Sequence, residues 1–213
     1  MTPPSRRKRV GVLISGRGSN LAALLAAAHA ATFPAEIALV ISNLANAGGL
    51  AVAEAHRIPA LTIAHRDFPR DRARHEAAIT TELERHGIEI VCLAGYMRLL
   101  TPFLVARFAG RMLNIHPSLL PAFPGLDTHA RALAAGVKLH GCTVHLVTER
   151  MDEGPILAQA AVPVRPGDTP ELLAARVLAQ EHLLYPLALR LFASALPGTA
   201  AAETAALCNP VSD

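Results

Sequence analysis

The sequence of 213 residues has no tryptophan and only two tyrosines. That scarcity argues against a surface built to stack nucleic-acid bases, which needs exposed aromatic faces. Cysteine is rare as well, at Cys92, Cys142 and Cys208. Three thiols cannot all pair within one chain, and their spacing is not that of a metal site. Reduced, mostly structural thiols fit a cytoplasmic protein. Although 52% of the residues are hydrophobic, no uninterrupted apolar run is long enough to span a bilayer. The apolar run at residues 10–15 is too brief for a secretory signal and ends in Gly16-Arg17-Gly18. Excess charge is small, at +3, and four basic residues sit together at Arg6, Arg7, Lys8 and Arg9. Without them the balance is slightly negative, so no basic nucleic-acid footprint remains. Those four are expected to form a solvated tail. The expectation is a cytoplasmic protein with no nucleic-acid and no membrane partner, long enough for one large domain or two small ones.

What is present gathers around Asn114-Ile115-His116-Pro117-Ser118-Leu119-Leu120-Pro121. In an extended segment residues i and i+2 share a face, so Asn114 and His116 aim at one point. Pro117 and Pro121 fix φ and stiffen the exit. An amide donor and an imidazole on one rigid platform suit a reaction in which negative charge grows on an oxygen. That points to acyl-type chemistry. A carboxylate should hold the imidazole in its working state, and Asp152 is the downstream candidate.

Taken in order, residues 10–15 read as a buried parallel strand. A glycine turn follows, then a helix with Leu21, Leu24, Leu25 and Ala28 at helical spacing and Ser19 or Asn20 as its cap. Free N–H groups and the helix dipole make such a corner a phosphate site at Gly18, Ser19 and Asn20. The dinucleotide fingerprint fails because Leu21 replaces its third glycine and the second strand, residues 37–42, ends at Asn43 instead of an acid. A P-loop would need Gly-Lys-Ser/Thr, so a lone phosphomonoester suits the corner better. Further strands are expected at 60–64, 88–94 and 111–115, with helices at 48–57, 71–86 and 102–109. The apolar side of the 71–86 helix is read as Ala77, Ala78, Ile79 and Leu83. This alternation implies a doubly wound, mostly parallel, Rossmann-like α/β sheet. Its strand ends would gather Gly18–Asn20, Met97–Leu100 and Asn114–His116 at one edge. After residue 121 the pattern changes to a helix at 127–135, an antiparallel pair at 142–148 and 156–164, and a polar loop between them carrying Asp152. A long C-terminal helix begins after Thr169 and runs to about residue 196, with Leu173, Val177, Leu184, Leu187 and Leu191 inward and a bend at Pro186. The Ala-rich remainder is expected to fray.

The run Leu113-Asn-Ile-His-Pro-Ser-Leu-Leu-Pro-Ala-Phe-Pro-Gly125 resembles the signature of the formyltransferases that use 10-formyltetrahydrofolate. So do His140-Gly-Cys-Thr-Val-His145 and Met151-Asp-Glu-Gly-Pro-Ile156. The resemblance covers roughly residues 8–196. It lies nearest to the monofunctional purine-pathway members that act on glycinamide ribonucleotide. It implies 10-formyltetrahydrofolate as co-substrate, glycinamide ribonucleotide as acceptor, no metal, and a monomer or homodimer. By the same resemblance His116 stabilises the oxyanion and moves protons, and Asn114 donates a second hydrogen bond. Asp152 favours the charged imidazolium and orders water. Gly18, Ser19 and Asn20 hold the substrate phosphate, and Glu181 touches the ribose or glycinamide end. Arg72, Met97, Arg98, Leu99, Leu100 and Asn114 face the folate, with Arg70 or Arg74 as alternatives to Arg72. The implied organisation is a basic tail at 1–8 and one formyltransferase domain at 9–196. Its phosphate-binding half is 9–109, its catalytic and folate half 110–196, and a tail follows at 197–213.

Rival chemistries are weaker. Ser118 beside His116 lacks the strand-to-helix elbow of a nucleophilic serine. His116, His129, His140 and His145 have the residue types of a zinc site without its spacing. Among relatives in the resemblance, tRNA-directed members add a C-terminal barrel and deformylases an N-terminal regulatory domain, and neither pattern is seen here. A non-catalytic phosphosugar- or folate-binding module would not need Asn114, His116 and Asp152 together.

Overall fold

The computed structural model describes residues 6–195 and 206–207. Strands β1 (Lys8–Ile14), β2 (Ala35–Ser42), β3 (Ala60–Thr62), β4 (Ile90–Leu93) and β5 (Met112–His116) alternate with helices. These are α1 (Ser19–Ala28), α2 (Gly48–Ala55), α3 (Arg72–Arg85) and α4 (Pro102–Arg107). Helix α5 (Thr128–Ala134), the hairpin β6 (Leu139–Leu146) and β7 (Ile156–Pro163), and helix α6 (Pro170–Ala195) complete it. The sheet order is β3-β2-β1-β4-β5-β6-β7, and β8 (Ala206–Leu207) pairs beside β7. Strands β1 to β5 are parallel, whereas β6 is antiparallel to β5 and β7 to β6. The order reverses between β1 and β4, and at such a switch point the loops after the two strands diverge to opposite faces and leave a crevice.

Strand alternation divides the core into two layers. On β1, Val10, Val12 and Ile14 join α1 and α6 residues, while Leu13 joins Ile79 and Leu83 of α3 and Leu104 of α4. On β5, Leu113 and Ile115 face the first layer and Met112 the second. By the period of two, Asn114 and His116 share the side of Met112. Helix α1 buries Leu21, Leu24, Leu25 and Ala28, each large side chain contributing about 1.5–3 kcal/mol.

Three expectations change. Helix α3 buries His75, Glu76, Ile79, Thr80 and Leu83, while Ala77 is exposed and Ala78 half-buried. Polar residues can occupy this seam because each has a partner. His75 Nε2 lies 2.8 Å from the Ile63 carbonyl, Thr80 donates to the Glu76 carbonyl at 2.8 Å, and Glu76 binds Thr101. Helix α6 buries Leu173, Val177 and Leu184 as expected, but beyond them it turns Tyr185, Ala188, Leu189 and Phe192 inward and leaves Leu187 and Leu191 half-buried, so only the last two turns of its stripe depart from the expected positions. Pro186 sits inside that helix, which continues to Ala195. Finally, Arg6–Arg9 are tied down. Arg7 donates to the carbonyls of Ala28 and Ala35, Arg9 to Glu36 and the His86 carbonyl, and Arg6 and Lys8 pair with Glu89. Apart from Ala206–Leu207, the expected fraying of the tail concerns residues outside those described.

Candidate active site

Strands β1, β4 and β5 are neighbours, so the segments leaving their carboxyl ends lie side by side, about 5 Å apart per strand. Beyond β1 comes the phosphate-type corner. Its helix cap is Gly18, at φ 81 in the left-handed region, and no side chain caps α1. Ser19 and Asn20, expected as caps, are the first residues inside the helix. The reason is steric. A Cβ on Gly18 would lie 2.5 Å from the Cα of Gly49, so two glycines let the β1–α1 turn cross the start of α2. Gly49 was not singled out from sequence, because nothing local marks a crossing with a distant turn. Asn20 is buried and its Nδ2 donates to Glu181 Oε2 at 2.6 Å, across 161 positions of sequence. Burial raises the Glu181 carboxyl above its ordinary range, with the Asn20 bond opposing. Among the described residues, nothing pairs with the buried Asn20 Oδ1.

Beyond β4 comes the segment expected to face folate. Met97 and Leu99 are largely exposed, at 72% and 58%, while Arg98 and Leu100 are half-buried. Ser15, buried at the end of β1, accepts from the Met97 N–H at 2.8 Å and donates to Asn43 Oδ1 at 2.6 Å. One hydroxyl therefore links the ends of β1 and β2 to the loop after β4. Arg70, Arg72 and Arg74 are all exposed around the start of α3, with Arg72 its first residue.

Beyond β5 the side chains converge. His116 is 6% exposed. Its Nδ1 lies 3.6 Å from Asp152 Oδ2 and its Nε2 3.1 Å from the Phe123 carbonyl. Both ring nitrogens thus face acceptors. Asp152 Oδ2 also accepts from the Gly125 N–H at 2.8 Å, joining the two loops that flank the ring. Asp152 holds φ 58, a left-handed conformation that aspartate tolerates better than most residues. Gly154 follows it, and a Cβ there would lie 1.7 Å from the Leu146 carbonyl oxygen, so only glycine lets the loop pass this close to β6.

His145 completes the cluster. It sits opposite Asn114 in the β5–β6 ladder, where facing side chains touch. Its Nε2 lies 3.1 Å from Asn114 Nδ2 and 3.7 Å from Asp152 Oδ1, and its Nδ1 lies 2.9 Å from the Leu146 carbonyl. A carbonyl only accepts, so Nδ1 carries the hydrogen and Nε2 accepts from the Asn114 amide. Burial, then the nearby His116, push the His145 basicity down, while the Leu146 carbonyl and Asp152 oppose. The neutral ring is the form that this hydrogen bond needs. A register irregularity between Val144 and His145 against β7 helps aim the ring. The sequence places His145 in a signature run and in a set of zinc-type residues without giving it a role beside Asn114; the alternation of Thr143 and His145 along β6 is the signal for its neighbours. His129 and His140 instead face each other at 3.2 Å, and the described residues hold no group of three or more side chains fit for a metal. Ser118 is fully buried and donates to the Ala122 carbonyl at 2.7 Å, which leaves it no role as a nucleophile.

Amide, imidazole and carboxylate on the carboxyl edge, two strands from a helix-start corner, mark a Rossmann-like α/β protein of the group-transfer class. The chain belongs to the formyl transferase family, whose model matches residues 8–189. It is 45% identical over 185 residues to the phosphoribosylglycinamide formyltransferase of Haemophilus influenzae, covering 87% of each chain. It is 50% identical over 190 residues to the trifunctional purine biosynthetic protein adenosine-3 of Drosophila pseudoobscura pseudoobscura, of which it spans only 14%. Among solved structures, the phosphoribosylglycinamide formyltransferase from Brucella melitensis superposes with a TM-score of 0.85 at 59% identity. That match covers 92% of this chain and all of that one.

Proposed function

We propose that this chain transfers the formyl group of 10-formyltetrahydrofolate to the amine of glycinamide ribonucleotide in purine biosynthesis. The observation that carries the reading is the convergence of Asn114 and His116 from β5 with Asp152 from a distant loop. The amine nitrogen attacks the formyl carbon, and the carbonyl electron pair moves onto oxygen. The tetrahedral intermediate collapses as the carbon–N10 bond breaks, N10 gaining a proton and the former amine losing one. Asn114 spends one amide N–H on His145 and directs the other to the oxyanion. His116 offers the second donor and moves the proton, with Asp152 fixing its orientation. No acyl group need be stored on the protein.

Gly18, Ser19 and Asn20 hold the ribonucleotide phosphate at the start of α1, where N–H groups and the dipole attract an anion. Glu181, already bonded to Asn20, contacts the ribose or glycinamide end. Met97, Arg98, Leu99 and Leu100 line the folate side together with Arg72, or with Arg70 or Arg74 in its place. Residues 9–109 act as the phosphate half and 110–196 as the catalytic half of one domain, in a monomer or homodimer. A cytoplasmic setting accords with Cys92 and Cys142, both buried free thiols. Spectroscopic deformylation of a 10-formylfolate analogue, with and without glycinamide ribonucleotide, tests the whole reading. Turnover that requires the ribonucleotide supports it; turnover without it means a deformylase, and none at all a binding module.

A further inference from the structure

The segment from Tyr96 to Leu100 presents Met97 and Leu99 to solvent, so those side chains cannot hold it in place. Tyr96 and Leu100 rest partly against the core layer of α3 and α4, and the backbone is pinned at two points. One is the Met97 N–H on Ser15 Oγ at 2.8 Å. The other is Thr101, whose N–H donates to Glu76 Oε1 at 2.8 Å and whose hydroxyl donates to Glu76 Oε2. Glu76 comes from α3 and is 3% exposed. Among the described residues no basic side chain pairs with it.

A buried carboxylate without a cationic partner is costly unless its oxygens are hydrogen-bonded, and for stability alone an apolar pair serves as well or better. Thr101 also sits at the cap position of α4, yet its side chain does not cap that helix. A threonine there ordinarily bonds its own helix N–H groups. Here the hydroxyl is committed to the neighbouring helix. Both oxygens of one carboxylate on both donors of one residue fix that residue in direction as well as position.

We propose that Glu76 is a positioning residue for the folate-facing segment, clamping Thr101 so that Met97, Arg98 and Leu99 stand in fixed places. This rests on the reading of that segment as the folate side. Glu76 touches neither the catalytic cluster nor the phosphate corner, so its loss should act on one substrate only. Glu76→Ala is expected to raise the KM for 10-formyltetrahydrofolate about tenfold, a loss of about 1.4 kcal/mol, with kcat and the KM for the ribonucleotide within about twofold. Thr101→Ser, which keeps both donors, should behave as wild type. Thr101→Val should fall between, and adding it to Glu76→Ala should cost little more, because both remove the same contact. Amide hydrogen exchange supplies a readout free of the substrate assignment. Glu76→Ala should exchange faster at residues 97–101 while β4 and β5 stay protected. Parallel rises in both KM values, or a stability loss with unchanged KM values, would overturn the clamp. So would unchanged exchange at 97–101, even if the wild-type protein proved to transfer no formyl group.

Discussion

The corner after β1 and the cluster after β5 lie two strands apart and are made of opposite materials. The corner is backbone. Two glycines cross closely there, and the groups it would offer to a phosphate are backbone N–H donors, which every residue but proline carries. The cluster is side chains, Asn114, His116, His145 and Asp152, each placed by a ladder partner or a loop turn. A backbone site should tolerate changed side chains and fail when a Cβ is added. A side-chain site should keep its fold and lose its chemistry when one functional group is deleted.

The largest expected effect tests the second half of that contrast. His116→Ala should slow formyl transfer by about 10³-fold or more, losing a donor and a proton carrier together. Asn114→Ala should cost about 3–4 kcal/mol in the barrier, the scale of one oxyanion donor. Asp152→Asn should also greatly lower kcat. All three should unfold in urea near the wild-type midpoint. Near-wild-type turnover in all three would break the assignment of the cluster.

Gly18→Ala tests the first half. It sets a Cβ 2.5 Å from Gly49 Cα and forces a side chain onto φ 81. The left-handed conformation alone costs about 1–2 kcal/mol, and relief of the clash must move one helix start against the other. Urea unfolding should show that loss and the KM for the ribonucleotide should rise, while kcat at saturation changes less than in any cluster variant. A Gly18→Ala protein as stable as wild type would mean that the two turns do not need glycine to cross.

The two regions also differed in how far they could be read from sequence. The parallel half followed from buried strand runs, glycine turns and helical spacing, because these are local patterns. Asn114 and His116 were legible as a pair because the period of two is local as well. What sequence missed was relational. Gly49 matters only because another turn crosses it, and His145 only because its strand runs antiparallel in a register that sets it opposite Asn114. The buried face of α3 was misread for the same reason. Glu76 and His75 look like surface residues until Thr101 and the Ile63 carbonyl are placed beside them.

Acid should sharpen the contrast, with a smaller effect. Burial, followed by the neighbouring His129, holds His140 down at about 4. Burial, followed by His116, lowers His129 and His145. The unfolded chain therefore takes up these protons first. The stability they represent is whole above their ordinary value near 6.5 and is lost as pH falls toward 4. Urea midpoints should drop between pH 7 and pH 4.5, with amide protection factors falling first in α5 and β6. His140→Asn should flatten part of that slope, and an unchanged slope would remove His140 from the account.

Ser19→Ala should produce the smallest change, because it tests the one side chain that a backbone-built corner adds. Ser19 is half-buried at the first position of α1 and its side chain caps no N–H of that helix. Its removal leaves every N–H group in place and disturbs no packing. A hydroxyl bonded to a phosphate oxygen contributes about 1.5 kcal/mol, the lower end for a hydrogen bond to a charged group. The expected result is a KM for the ribonucleotide raised about tenfold, with kcat and the urea midpoint unchanged. The same corner predicts that a dephosphorylated acceptor is used far less well by the wild-type protein, and that Ser19→Ala narrows the gap between the two acceptors. Equal use of both acceptors by wild type would show that the crossing glycines serve packing alone, and the contrast between a backbone site and a side-chain site would reduce to one site and one tight turn.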